Sequence, residues 1–390
     1  MRSMYRMVIA GATALALVVG ASPAHAATDP TTLQQKLDAI HAAGMPGVFA
    51  KVRDGDTTWR GATGVADIDT RRPMRPHLQH RVGSITKTFV ATALLQLVGE
   101  GRLTLDEPVG RHVGDLLPPD LAATVTLRML LNHTSGISDI DHVMVTTYQE
   151  LEAVHRTTYT PKQLIDIALA EPRTNAPGAA HNYSNTGYII AGVILERVTG
   201  RPAELEIARR ITIPLGLWQT YLPGSFPFIV GPHSEGYVPY PDGSLRDFSV
   251  ANLSWLWTAG ALISTADDLD TFYRALLSGK LLRPAQLTQM KTAFGDSGYG
   301  LGLYRVDLPC GVSVWGHDGA VFGYTTIAWQ TEDGATRIVH AQNLYPLADP
   351  ASAIATADFI LTALCGPADT ARALPTPTLP LRDSLPSPRS

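Results

Sequence analysis

At 390 residues the chain is long enough for one large or two medium domains with a substantial core. Its 31 basic and 35 acidic residues leave a net charge of −4, so there is no basic field to hold nucleic acid and no such partner is expected. Two cysteines cannot build a structural zinc site and no His-Glu-x-x-His occurs, so no metal or cofactor is expected.

Taken from the start, Arg2 and Arg6 precede an apolar stretch over 7–20, and Ala24-His25-Ala26 provides a small-x-small cleavage site. Residues 1–26 therefore read as a secretory leader cut after Ala26. The apolar run is shorter than the ~20 residues of a spanning helix, so a secreted protein without a stable membrane anchor is expected. Residues 31–43 read as an amphipathic helix with Leu33, Leu37 and Ile40 on one face. Strands follow over 47–52 and 57–65 across an Asp54-Gly55 turn. A loop with Pro73 and Pro76 then leads to a helix over 85–100 with a Val90, Leu94, Leu95, Val98 stripe, stopped by Gly101.

From about 104 to 253 the text turns to short helices broken by Pro and Gly, best defined over 126–132, 161–170, 184–199 and 204–211. Another helix spans 265–277. Strand patterns return over 301–306, 311–315, 324–331 and 336–342, the last two joined at Asp333-Gly334, and a helix over 349–364 closes the fold. The expected class is α/β. Residues 27–84 and 257–365 would form a discontinuous domain, an antiparallel sheet flanked by helices, and 85–256 a mostly helical second domain. Residues 366–390, rich in Pro, Thr and Ser, read as a disordered tail. Cys310 lies between strand-like runs and Cys365 ends an apolar helix; in an exported chain they fit one disulfide better than two buried thiols.

Three short motifs carry chemistry. Ser84-Ile85-Thr86-Lys87 opens the 85–100 helix, and residues three apart share a helix face. A serine needs a neighbour to take its proton, and a buried lysine is tunable in that role. Ser84 reads either as this nucleophile, with its helix-start N–H as an oxyanion donor, or as an ordinary N-cap. Lys87 is either its partner or a solvated lysine. Tyr183-Ser184-Asn185 precedes the 184–199 helix; Tyr183 is a second proton carrier or a core aromatic, and Asn185 a hydrogen-bond bridge between substrate and Lys87 or a cap. His317-Asp318-Gly319 follows a strand pattern, with Gly319 allowing a close backbone approach. Trp255 and Trp257 either wall the cleft or sit in the core. No Gly-x-Ser-x-Gly elbow occurs.

The order Ser-x-x-Lys, Tyr-x-Asn, His-x-Gly resembles the penicillin-recognising serine hydrolases, in the branch of class C β-lactamases and D-alanyl-D-alanine carboxypeptidases, and most of all the secreted Streptomyces DD-peptidases. Arg81-Val82-Gly83-Ser84, the 174–180 stretch, Tyr299-Gly300-Leu301-Gly302-Leu303 and the cysteine placement extend it over nearly the whole mature chain. The resemblance implies a β-lactamase-like, DD-peptidase fold. It implies Ser84 as nucleophile, Lys87 and Tyr183 as proton carriers, and His317 bonded to Tyr183 from an edge strand in place of the lysine of a Lys-Thr-Gly motif. The N–H of Ala320 would be the second oxyanion donor, and His133 in Asn132-His133-Thr134-Ser135-Gly136 a structural turn. The implied function is a D-alanyl-D-alanine carboxypeptidase acting on peptidoglycan stem peptides, with β-lactams as inhibitors and a monomer as the acting unit.

One departure bears on substrate. Tyr304 stands where the DD-peptidases carry a carboxylate-binding arginine, with Arg305 beside it, and Asp318 and Ala320 replace threonines. Strand alternation sends Tyr304 and Arg305 to opposite faces. An ionised Asp318 at the substrate would repel a carboxylate by about 1 kcal/mol if solvated. An uncapped substrate, such as an ester or a D-amino amide, is the alternative to a peptide acid, and a non-catalytic binder of penicillin or cell-wall peptide is the other.

Overall fold

The structure, a computed structural model, describes residues 29–345 and 350–366. The expected leader at 1–26 and all but the first residue of the expected tail lie outside the described residues. Among the described residues, seven strands form one antiparallel sheet: β1 Gly47–Asp54, β2 Thr57–Asp67, β3 Arg72–Pro73, β4 Tyr304–Asp307, β5 Ser313–Val321, β6 Tyr324–Thr331 and β7 Thr336–Gln342. Their order across the sheet is β3-β2-β1-β7-β6-β5-β4. The two sequence-distant sets meet where β1 pairs with β7, from Val48↔Gln342 to Asp54↔Thr336.

Alternation along these strands sorts side chains to two faces. Val48, Ala50 and Val52 of β1, with Ile327, Trp329 and Ile338, pack under the first helix (Leu33, Leu37, Ile40) and the last helix (Phe359, Ile360, Leu364). Phe49, Ala328, Val339 and Ala341 face the other way and join the main core, which includes helix Ile85–Gly99 and helix Ala266–Leu277. Helix Ile85–Gly99 is buried nearly all round, so an amphipathic stripe understates it; it is the shared wall of sheet and helical region.

Most expected elements occur within a residue or two, and the deviations share a cause. The strand expected over 301–306 begins only at Tyr304, because Gly302 adopts φ +67° and lies against Ala91, the Tyr188 hydroxyl and the Lys87 carbonyl. The strand expected to end at Trp315 runs on through the His-Asp-Gly motif to Val321. Gly316 and Gly319, which look like breaks, are points of close approach: a Cβ on Gly316 would lie 2.0 Å from the Ala328 carbonyl oxygen. The expected 204–211 helix is Ala203–Ile207, followed by a wider turn over Ala208–Thr212.

Cys310 and Cys365 form a disulfide across 55 residues, tying the loop between β4 and β5 to the last helix. In the chain-entropy account closing such a loop stabilises the fold by about 4 kcal/mol. Cys310→Ser with Cys365→Ser is expected to lower unfolding stability by about 2–4 kcal/mol in urea titration. An unchanged midpoint would show the staple to be energetically idle.

Candidate active site

The site is built where β5 meets the start of helix Ile85–Gly99. Strand β4 covers β5 only from Ser313 to Gly316, so from His317 onward the outer edge of β5 is open to the nucleophile turn. Contact there is between backbones. A Cβ on Gly319 would lie 2.0 Å from the Val82 carbonyl oxygen and 2.8 Å from the Ser84 nitrogen. Gly83, at φ +54°, would bring a Cβ within 2.7 Å of the Ala320 nitrogen. These glycines let the protein's own strand and turn close up, which places the Ser84 and Ala320 amides side by side; Gly319 serves this packing before it serves any acyl chain.

Ser84 directly precedes the helix but makes no side-chain cap bond. Its Oγ is approached by Lys87 Nζ at 2.8 Å and by Tyr183 Oη at 2.8 Å. Lys87 is fully buried, and Nζ donates also to Asn185 Oδ1 at 2.7 Å and to the Ala259 carbonyl at 2.8 Å. Three acceptors match the three hydrogens of an ammonium, the condition for keeping a charge out of water. Nζ lies 4.6 Å from the centre of the Tyr183 ring, where a cation favours an ionised phenol. Ser184 supplies the cap of helix Asn185–Thr199, accepting from the Gly187 N–H, which leaves the Asn185 side chain for the site.

Behind Asn185 stand two residues absent from the sequence expectations, Asp139 and Asp141, both buried. Asn185 Nδ2 donates to Asp141 Oδ2 at 2.8 Å and to both Asp139 oxygens at 3.3 Å, and the Asn185 backbone N–H donates to Asp139 Oδ1 at 3.1 Å. An amide with carboxylates on one side must turn its oxygen to the other, toward Lys87. Burial pushes the Asp139 carboxyl up, against the opposing pull of the Asp141 N–H, His142 and Lys87. The sequence signal was two acids two residues apart in a loop, too common to single out.

His317 is fully buried and lies on the Ser84 side of the sheet, beside Gly319. Its Nδ1 donates to the Asp318 carbonyl, which leaves Nε2 of a neutral ring as an acceptor for Tyr299 Oη at 2.8 Å. Where the resemblance leads one to expect Tyr183, Nε2 thus meets Tyr299. That tyrosine belongs to the Tyr-Gly-Leu-Gly-Leu stretch and packs edge-on to Tyr183.

Three expected substrate contacts, Asp318, Tyr304 and Trp255, are buried and make contacts within the protein. Asp318 and Tyr304 occupy the opposite face of the sheet, paired across from Ile327 and Gly316, and the Tyr304 hydroxyl donates to the Asp318 carboxylate. Both are buried, and the Tyr304 ring packs edge-on to His317 with centroids 5.2 Å apart. The strand alternation used to separate Tyr304 from Arg305 applies equally to Asp318 against His317 and Gly319. Trp255, 1% exposed, packs in the main core, the bland alternative for that position.

Two substitutions test this geometry. Gly319→Ala should slow acylation of Ser84 on the order of a hundredfold with the far-UV spectrum unchanged, because the added methyl must push strand from nucleophile turn. Full activity would mean that the close approach is not needed. Asp141→Asn removes the charge that orients Asn185 and should slow acylation on the order of tenfold. Single-turnover release of nitrophenol from p-nitrophenyl acetate reads both.

Comparison with known proteins agrees with this geometry. The family model described as Beta-lactamase matches residues 32–361. A D-stereospecific amidohydrolase from Streptomyces sp. superposes with a TM-score of 0.78 at 38% identity, over 87% of this chain and 99% of its own. The D-amino acid amidase from Ochrobactrum anthropi SV3, complexed with L-phenylalanine amide, superposes with a TM-score of 0.72 at 30% identity, over 81% of this chain and 92% of its own. A D-aminopeptidase from Cereibacter sphaeroides is 28% identical over 348 residues, 87% of this chain and 64% of its own length. With the family model spanning most of its length, the chain belongs to the β-lactamase family, the serine hydrolases that include the penicillin-binding proteins.

Proposed function

We propose that this serine hydrolase acts on neutral D-aminoacyl donors, amides first and esters second, through an acyl-enzyme on Ser84. The observation that carries the reading is the fate of the groups a carboxylate would need. Tyr304, at the position of the expected arginine, donates to buried Asp318 on the far face of the sheet. Arg305 is turned outward to Ser313 and Asp307, and the Arg81 guanidinium donates to the carbonyls of Pro227, Ser249 and Ala251. Neither guanidinium is directed to a substrate carboxylate. The likeness to a D-stereospecific amidohydrolase and a D-amino acid amidase supports the same substrate class.

In this reading Ser84 Oγ attacks the carbonyl carbon as its proton passes to ionised Tyr183. The Ser84 and Ala320 N–H groups hold the oxyanion. The C–N bond breaks, and Tyr183 delivers the proton to the leaving nitrogen. A water then gives a proton to Tyr183 and its oxygen to the acyl carbon, and Ser84 recovers its proton as it leaves. Lys87 stays charged throughout and stabilises the phenolate, and His317, through Tyr299, fixes the ring that packs beside Tyr183. A D-alanyl-D-alanine carboxypeptidase would share every step but needs a cation for the terminal carboxylate, and it stands second for that reason. Export belongs to the same proposal, supported by the leader-like 1–26 segment and the disulfide.

The test is a matched pair: a peptide ending in D-Ala-D-Ala and its C-terminal amide, with D-phenylalanine amide alongside. The neutral donors should be cleaved at least about tenfold faster in kcat/KM, as expected when a charge must be desolvated without a partner. A clear preference for the peptide acid would sink the neutral-donor reading and leave the carboxypeptidase one.

A further inference from the structure

The Asn-His-Thr-Ser-Gly turn at 132–136 has no part in the chemistry above, yet His133 is held in a way that packing does not explain. It is 1% exposed and adopts φ +60°, a left-handed backbone uncommon for residues other than glycine. Its carbonyl accepts from the Asn182 N–H at 2.8 Å, and its Nδ1 accepts from the Ser184 N–H at 3.1 Å. Those donors are the residues immediately before and after Tyr183. Between them the imidazole lies against the Tyr183 ring, with centroids 4.1 Å apart.

We propose that His133 is the positioning residue for Tyr183, gripping the backbone on both sides of the phenol and its ring from below. The grip fixes the tautomer. Because Nδ1 accepts a backbone N–H, the neutral ring must carry its hydrogen on Nε2, and a protonated ring would set two donors face to face. Among the described residues Nε2 has no hydrogen-bond partner, and it is enclosed by Tyr183, Tyr188, Tyr299 and His181. Burial holds the imidazole well below its ordinary value, with Lys87, His181 and His317 acting in the same direction, which favours the accepting form. A buried N–H without a partner is tolerated where the other nitrogen's task requires that tautomer.

The inference rests on Tyr183 carrying the proton of Ser84, and the experiment separates the two. Acylation is read by single-turnover release of nitrophenol from p-nitrophenyl acetate, a probe independent of the natural substrate. His133→Phe keeps a ring against Tyr183 but removes the acceptor and disfavours the left-handed backbone. His133→Asn removes the ring but keeps an acceptor oxygen, and asparagine tolerates that backbone. The Phe variant should lose on the order of tenfold or more in rate with little change in KM, and the Asn variant should recover most of it. The reverse order would show that His133 only fills space. Nitrogen-15 NMR of histidine-labelled wild type should find His133 as the Nε2–H tautomer from pH 6 to 9; an Nδ1–H signal overturns the proposal even if a variant fails to fold. Tyr183→Phe with undiminished acylation would instead overturn the proton-carrier reading beneath it.

Discussion

A fully buried ammonium sets the terms for everything around Ser84. Lys87 has its three hydrogens met by a hydroxyl, a side-chain amide and a backbone carbonyl, at 2.7–2.8 Å. Leaving such a charge short of partners costs several kcal/mol, so each acceptor has to be held in place by something else. The Ala259 carbonyl belongs to a short helix packed on the Asn185–Thr199 helix. Asn185 is turned by Asp139 and Asp141. Ser84 is fixed by the glycine-to-backbone contact with β5. The reactive hydroxyl is thus one of three ligands of a cation, and its second neighbour, Tyr183, lies with its ring 4.6 Å from the same charge.

That arrangement explains why the molecule brings both ends of the sequence into one sheet. The Ser84 turn follows β1 to β3, while the strand that closes over it comes from the C-terminal set. The β1–β7 pairing joins them in one sheet, and the last helix and its disulfide brace that sheet from the far face. Rigidity matters here because the two amides that would hold an oxyanion, on Ser84 and Ala320, sit on elements far apart in the chain. A shift of one strand relative to the other would leave each amide intact and the pair useless.

The sequence was legible where a rule has a short range. Apolar period, turn residues and cap residues locate the helices at 30–42, 85–99, 161–170 and 185–199 and the β6–β7 hairpin within a residue or two. The three motifs also announce Ser84, Lys87, Tyr183 and Asn185, which the fold brings together. What stayed hidden depends on contacts between distant segments. Gly316 and Gly319 look like breaks until the Ala328 and Val82 carbonyls are seen against them. Asp139 and Asp141 look like loop acids until Asn185 is placed between them and Lys87. Asp318 and Tyr304 look like separate residues of a site until the Tyr304 hydroxyl is seen against the Asp318 carboxyl.

The contact between Asp318 and Tyr304 bears on the proposed substrate. Buried and bonded to Tyr304, Asp318 lies one residue from the imidazole of His317. It takes the hydrogen of the Tyr304 hydroxyl, which stands at the position of the expected cation and accepts from Trp329 Nε1. In the proposed reading these two side chains bias the choice of substrate, because they set a phenol and a carboxyl where a peptide acid would need a cation. The groups that break bonds are common to hydrolases of this kind with very different donors, so the discrimination has to come from this second layer, where charge is cheap to rearrange and geometry is not disturbed.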